Sequence, residues 1–167
     1  MSRLHILRYP DARLHKIAAP VDEVNADIRT LVANMAETMY AAPGVGLAAT
    51  QVDVHKQVIV VDASDTRDQL LTLINPEIVS AAGVADLEEG CLSVPGIYEK
   101  IARAECITVR ALRLDGASFT MQAQGLLAVC IQHEMDHLKG RVFVEYLSRL
   151  KQTRIRAKLQ KQLRQSA

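Results

Sequence analysis

The run from Gly125 to His137 constrains this chain more than any other stretch, because it is strongly apolar and ends in His-Glu-x-x-His. On an α-helix, residues four positions apart lie on the same face, one turn apart. His133 and His137 therefore point the same way, with Glu134 beside them. Burying two imidazoles and a carboxylate without partners would be costly, so the pattern predicts a metal site on a mostly buried helix.

Two histidines leave a catalytic metal site one protein ligand short, because such sites usually combine three protein ligands with a water. The common protease solutions are absent. Phe143 stands where a HExxHxxGxxH motif would place its third histidine, and no acidic residue, histidine or cysteine follows Glu145. We therefore expect the third ligand to come from upstream of the helix.

Three cysteines are candidates for that ligand. Cys106 begins a stretch with the alternation of a regular strand, which makes it the weakest. Cys130 precedes His133 by three residues on the same helix face, which leaves open a closed structural zinc site of two cysteines and two histidines. Cys91 lies between glycine and proline signals, in a segment expected to be irregular. It could approach from the opposite side and leave a fourth position open, so we favour it.

Size and composition predict one catalytic domain over residues 1–167, since 49% of the residues are hydrophobic and no linker divides the chain. No apolar run approaches the roughly 18 residues of a membrane span. Three cysteines at unrelated spacings do not suggest a disulfide framework, so we expect a cytoplasmic protein. Neither a membrane nor DNA is an expected partner.

The charge is unevenly distributed along the chain. Residues 149–164 contain seven Lys or Arg and no acidic residue. The rest of the chain has 13 basic and 19 acidic residues, so its net charge is −6. Apolar residues recur at helical spacing through this part, which predicts a basic C-terminal helical tail over residues 149–167 with a stripe formed by Leu147, Leu150, Ile155, Leu159 and Leu163.

The remaining elements indicate an α+β fold. A helix is predicted from an N-cap at Asn25, and Asp115-Gly116 joins the clearest β-hairpin, residues 106–114 and 118–123. Further strands are predicted over residues 57–62, 71–74 and 78–82. Because strands cluster rather than alternate with helices, we expect antiparallel β-sheets packed around a central helix that carries HExxH.

Three motifs give the chain a family resemblance. They are GVGLAATQ at residues 44–51, EGCLS at 89–93 and HEMDH at 133–137. On these motifs the chain resembles the peptide deformylases, metal-dependent hydrolases that remove the N-terminal formyl group from new bacterial polypeptides and release formate. The similarity extends from the YPDARL opening at residues 9–14 to the basic end.

The resemblance implies a role for each site residue. One divalent metal ion, ferrous iron with zinc as the alternative, would activate a water that attacks the formyl carbon. Glu134 would act as general base and then as general acid. The Gln51 side-chain amide and the Leu92 backbone N–H would stabilise the charged oxygen of the intermediate. The implied metal ligands are Cys91, His133 and His137.

The same resemblance suggests how formyl-methionyl peptides are bound. The methionine pocket and the peptide contacts would be formed by Val45, Gly46, Leu126, Val129 and Cys130. Glu89 is expected to pair with Arg103 and brace the Cys91 segment. Since nascent chains emerge at the ribosome, the basic tail is expected to contact ribosomal RNA.

Two rival functions remain at the level of sequence. A metallopeptidase with the same ligands would cleave internal peptide bonds that carry no formyl group. A binding protein with a closed zinc site would use Cys130 as a ligand and the basic tail to bind RNA.

Overall fold

Two antiparallel sheets and three α-helices make up the part of the chain that the structure, a computed structural model, describes: residues 2–166. The first and last positions of the predicted domain, Met1 and Ala167, lie outside the described residues. The helices are α1 (Ala26–Ala41), α2 (Gly125–Leu138) and α3 (Arg149–Ser166). The strands are β1 (Gly46–Ala48), β2 (Val58–Val61), β3 (Leu71–Ala82), β4 (Glu88–Cys91), β5 (Val94–Lys100), β6 (Cys106–Leu112) and β7 (Ser118–Gln124). Short 3-10 turns cover Ala12–His15, Ala49–Val52 and Phe143–Tyr146.

The predicted α+β class is confirmed. One sheet has five strands in the order β1-β2-β3-β6-β7, and the other is the β4-β5 hairpin. Every pairing between these strands is antiparallel. The β6-β7 hairpin runs in continuous register from Leu112↔Ser118 to Cys106↔Gln124, as its alternating pattern predicts. The Asn25 side chain caps α1 by accepting a hydrogen bond from the Ile28 N–H at 3.1 Å.

The prediction of separate strands at 71–74 and 78–82 was wrong, because β3 runs without a break from Leu71 to Ala82. Asn75, which lies between the two predicted strands, adopts a left-handed backbone conformation, φ +51°. Its side chain accepts from the Val21 N–H and donates to the Val21 carbonyl, both at 2.8 Å. A register shift between Ile74 and Glu77 absorbs the irregularity as a bulge, so the strand continues.

Helix α2 packs one face against the large sheet, where Ala128, Ile131 and Met135 join the core with strand residues such as Val109. The first turn of α2 is more exposed than the prediction of a mostly buried helix implies. Leu126 is 48% exposed, because it lies in the first turn at the edge of the sheet. The helix therefore has a buried side and a side that opens to solvent near its beginning.

Helix α3 is confirmed as a basic helix, but its predicted apolar stripe is only half correct. Ile155 and Leu159 are buried in a cluster with Leu7, Val94 and Phe143. Leu150 and Leu163 are exposed. The helix is therefore anchored through its middle, and its basic side chains face solvent. Within residues 2–166, no helix is long and apolar enough to cross a membrane.

Candidate metal centre and active site

Helix α2 and the β4-β5 hairpin bring the three predicted metal ligands together. Cys91 is the last residue of β4 and precedes a two-residue turn, so it ends a strand instead of lying in the irregular segment that was expected. Its Sγ lies 3.4 Å from Nε2 of His137, which is 3.2 Å from Nε2 of His133. All three ligand atoms lie within 4.8 Å of one another.

These separations fit a tetrahedral metal site. Bonds of about 2.1 Å to nitrogen and 2.3 Å to sulfur separate pairs of tetrahedral ligand atoms by roughly 3.4–3.6 Å. The other ring nitrogen of His133, Nδ1, lies 2.8 Å from the Glu89 carboxylate and donates to it. That bond fixes the ring and leaves Nε2 free to ligate, which is a common arrangement around metal-binding histidines.

The two imidazoles differ in their electrostatic surroundings. Burial opposes a charge on His133, but the Glu134 carboxylate and the Cys91 sulfur raise its pKa well above the usual value. Burial and the neighbouring His133 ring lower the pKa of His137. His137 is therefore held neutral, which is the protonation state that a metal ligand requires.

A buried arginine braces the ligand set, and the predicted pairing of Glu89 with Arg103 is confirmed. The Arg103 side chain donates to Glu89 through Nε at 2.6 Å and Nη2 at 3.0 Å. Both side chains are almost fully buried. Burial alone would raise the pKa of Glu89, but the hydrogen bonds from His133 and Arg103 hold it below the usual value. Glu89 is thus a carboxylate that links Arg103 to the predicted metal ligand His133.

Glu134 lies at the wall of the same site, beside β1. Its side chain is buried, and Oε1 has no hydrogen-bond partner among the described residues. A Cβ atom built on Gly46 would lie 2.5 Å from Oε2, so only glycine lets the two segments approach this closely. Burial raises the pKa of Glu134 to about 7, which suits a group that must both accept and donate a proton.

A cavity of about 530 Å³ opens beside two of the predicted metal ligands, Cys91 and His133. Cys91, His133 and Glu134 form part of its surface, and residues 42–46 together with Pro95, Gly96 and Tyr98 form further parts of the wall. The five positions predicted to bind substrate all line this cavity: Val45, Gly46, Leu126, Val129 and Cys130. Leu92, predicted to stabilise the charged oxygen of the intermediate, also lines it.

Comparison with known proteins identifies the family. The family model for polypeptide deformylase matches residues 3–153. Peptide deformylase 2 of Nitrosomonas europaea is 68% identical over 164 residues, which are 98% of this chain and 89% of that protein. The chain belongs to the peptide deformylase family. It is therefore an enzyme of protein biosynthesis, a hydrolase that removes formyl groups from nascent peptides.

Solved deformylase structures have the same fold. A crystal structure from Legionella pneumophila superposes with a TM-score of 0.94 at 46% identity, covering 99% of this chain and 98% of that one. A deformylase from Ehrlichia chaffeensis in complex with actinonin gives a TM-score of 0.94 at 42% identity, covering 97% of this chain and 98% of that one.

The alternative of a structural zinc site with Cys130 as a ligand was wrong for the residues described. The Cys/His/His cluster contains Cys91, and Cys130 instead lines the deformylase cavity. Burial raises the pKa of the Cys130 thiol to about 12, so this side chain stays protonated at neutral pH. A neutral thiol behaves as a small apolar group in a cavity wall.

Three residues of the deformylase site were missed by the sequence reasoning. Asp136 accepts from Nη1 of Arg103 at 2.5 Å, and the Tyr146 hydroxyl donates to the same carboxylate at 2.8 Å. Ser93 Oγ accepts from Nε2 of Gln51 at 3.0 Å. For two of these residues the only signal was their position within a motif: Asp136 lies within HExxH, and Ser93 closes the EGCLS motif. Nothing local in the sequence indicates which distant partner each one meets.

Proposed function

We propose that this deformylase acts on formyl-methionyl nascent polypeptides in the cavity above α2, with one divalent metal ion held by Cys91, His133 and His137. The observation that carries the proposal is the convergence of one sulfur and two Nε2 atoms next to a buried carboxylate at the cavity surface. A closed structural site would surround the ion with four side chains, whereas this cluster has three.

Ferrous iron is the proposed metal, with zinc as the alternative, because one thiolate and two imidazoles suit both ions. When bound, such an ion lowers the pKa of a ligand water and polarises a carbonyl oxygen. The protein supports this chemistry by holding both ligand rings: Glu89 orients His133, and Arg103 orients Glu89.

Glu134 is the proposed general base and general acid. Its carboxylate would accept the proton of the attacking water and then donate it to the amine that departs from the formyl carbon. The partnerless Oε1 atom is available for that proton, and a pKa of about 7 allows transfer in both directions near neutral pH.

Gln51 and Leu92 are the proposed donors to the negatively charged oxygen that develops on the formyl group. Gln51 is fully buried, and its Oε1 accepts from the Ala48 N–H at 2.9 Å, which directs Nε2 towards Ser93 and Cys91. Leu92 directly follows Cys91, so its backbone N–H is close to the metal ligands. A donor of this kind is worth about 3 kcal/mol in the transition state.

The methionine side chain and the adjoining peptide would occupy the cavity wall formed by residues 42–46 and the first two turns of α2. Val129 and Cys130 form the deep apolar part, and the exposed Leu126 lies at the entrance. Val45 and Gly46 belong to the edge of the large sheet, where backbone groups on the side away from β2 can meet an extended peptide.

The reaction is tested with a formylated tripeptide, formyl-Met-Ala-Ser, and its acetylated counterpart. We expect wild-type enzyme to release formate from the first and no acetate from the second. The Glu134→Gln variant should bind metal at the wild-type stoichiometry and lose turnover by at least about a thousandfold. Cleavage of internal bonds in an unformylated peptide would instead support the metallopeptidase alternative.

The metal is tested by exposing enzyme to air and following metal content and residual activity together. An enzyme containing ferrous iron beside a thiolate should lose activity over this exposure, because iron and thiolate oxidise. The zinc form, prepared in parallel, should keep its starting activity during the exposure, since zinc does not cycle between redox states. Stable activity of as-isolated enzyme with bound zinc would contradict the proposal for iron.

Helix α3 is proposed to contact ribosomal RNA, in the cytoplasm where nascent chains are made. Ile155 and Leu159 anchor the helix, so the test must change charge without removing the helix. The triple change of Arg154, Lys158 and Lys161 to Gln removes three exposed charges. We expect it to weaken co-sedimentation with ribosomes at low salt and to leave tripeptide turnover intact.

A matched control changes three exposed lysines outside α3, Lys16, Lys56 and Lys139, to Gln. This variant has the same net charge as the α3 variant. Equal loss of co-sedimentation in both variants would show that net charge, and not the helix, determines ribosome contact.

A further inference from the structure

Residues 42–46 form part of the cavity wall, and the first of them lie in a glycine-containing loop that precedes β1. Strand β1 is paired with β2 only from Gly46 onwards, and the Asp62 N–H extends the ladder by donating to the Val45 carbonyl at 2.8 Å. Gly44 lies beyond that ladder. Its missing side chain allows contact with Leu92, because a Cβ there would lie 2.5 Å from Leu92 Cδ1. The position of Gly44 therefore depends on contacts other than strand pairing.

Arg67, from the loop between β2 and β3, supplies such a contact. Its Nη2 donates to the Gly44 carbonyl, and its Nη1 donates to the Asp62 carbonyl at 3.1 Å. One guanidinium thus joins the cavity loop to the end of β2. Arg67 itself has a left-handed backbone, φ +57°, which costs an L residue energy and persists only where surrounding contacts hold it.

The guanidinium is held in place by a second set of contacts. Its carbon lies 5.2 Å from the ring centroid of Tyr40, close enough for a cation–π interaction. The Tyr40 hydroxyl donates to Asp62 Oδ2 at 2.6 Å, and Asp62 also accepts from the N–H groups of Ser64 and Gln69. The Tyr40 ring therefore helps to hold the Arg67 guanidinium in place, with its two Nη atoms directed at the carbonyls of Gly44 and Asp62.

We propose that Arg67 is a positioning residue for substrate binding: it holds the Gly44–Gly46 loop in the conformation that receives the formyl-peptide. This inference rests on the proposed function of the cavity. Arg67 contacts the loop at the Gly44 carbonyl, whereas strand pairing still fixes Gly46 beside Glu134. Loss of the guanidinium should therefore weaken binding of the peptide more than it slows the chemical step.

Steady-state kinetics on formyl-Met-Ala-Ser test this inference. We expect Arg67→Met to raise KM about tenfold and to change kcat by less than about twofold, with metal content unchanged. Arg67→Lys keeps a cation that can reach one of the two carbonyls, so its KM should lie between those of wild type and the Met variant. The matched control is Arg110→Met, which removes an exposed arginine of β6 that is paired with Glu77 of β3.

Each outcome decides the inference. A KM for Arg67→Met equal to that of the control would overturn it, and so would a Lys variant with no rescue relative to Met. If the Met variant does not fold, Arg67→Gln takes its place, and a KM for Arg67→Gln equal to that of the control refutes the role. The proposed function fails separately, when wild-type enzyme does not release formate from the peptide.

Discussion

Gly46 offers the sharpest test of how the backbone and the proposed general base are fitted together. An alanine Cβ at this position would lie 2.5 Å from Oε2, 2.9 Å from Cγ and 3.0 Å from Cδ of Glu134. Ordinary contacts of a Cβ begin at 3.4 Å, so the carboxylate would have to move by about 0.9 Å. Because Cγ is also too close, turning the carboxylate alone does not relieve the contact, and the whole Glu134 side chain would have to shift towards the cavity.

The expected effect of Gly46→Ala is a loss of turnover. Displacing a catalytic group by roughly 1 Å can cost about a hundredfold in rate, so we expect kcat for formyl-Met-Ala-Ser to fall by about that factor. Metal content should stay at the wild-type value, since Gly46 does not contact the ligands Cys91, His133 or His137. Formate release, metal analysis and a thermal unfolding curve would be recorded on the same preparation.

A double variant separates displacement of Glu134 from general damage. Glu134→Ala removes Cγ, Cδ and Oε2, the three atoms that a Cβ at Gly46 would meet. In that background Gly46→Ala should lower the residual formate release by less than about threefold further, because the collision no longer exists. The reasoning is refuted if Gly46→Ala alone leaves kcat within about threefold of wild type, or if its cost is the same in both backgrounds.

Three further predictions follow from other contacts. Arg103→Leu leaves Glu89 and Asp136 buried without their cation, so urea unfolding should show a loss of about 3–5 kcal/mol. Burial raises the pKa of Asp62, but hydrogen bonds from neighbouring side chains outweigh it and hold the pKa at about 2. Because that value lies below the pKa of an unfolded aspartate, the stabilisation is complete above about pH 4 and is lost as pH falls towards 2; Asp62→Asn should remove up to about 2 kcal/mol of this acid-dependent stability. Cys130→Ser should keep metal, fold and most activity, as metal analysis and formate release would show.

Each of these variants has a matched control. Arg110→Leu removes an exposed, paired arginine and should change stability by less than about 1 kcal/mol. Asp68→Asn, in the same loop region as Asp62 but exposed, should leave the acid unfolding curve unchanged. Cys91→Ser should lose metal under conditions where Cys130→Ser retains it; the opposite pattern would contradict the ligand assignment.

Much of the site could be predicted because its parts are local in sequence. The spacing of His133 and His137 determines their common face on a helix of any fold, and the Asp115-Gly116 turn sets the β6-β7 hairpin. Cys91 was chosen by exclusion and by family resemblance, and the structure brings it to the histidines. These features depend on neighbours along the chain or on one motif, which sequence reasoning can follow.

Two of the failures involve partners that are distant in the chain. Strand β3 continues through Asn75 because Val21, 54 residues away, satisfies the Asn75 side chain. Asp136 reads as a variable position of HExxH, yet it meets Arg103 and Tyr146 in the folded protein. No local pattern specifies such pairings, since they arise only when separate elements pack together.

X-ray absorption spectroscopy of the metal-loaded enzyme is the most direct test of the central claim, that one thiolate and two imidazoles hold the catalytic ion and leave a position open. We predict one sulfur at about 2.3 Å and two imidazole nitrogens at about 2.0–2.1 Å, with a further light atom that is replaced when a competing anion binds. A shell of two sulfurs and two nitrogens with no exchangeable ligand would contradict the account.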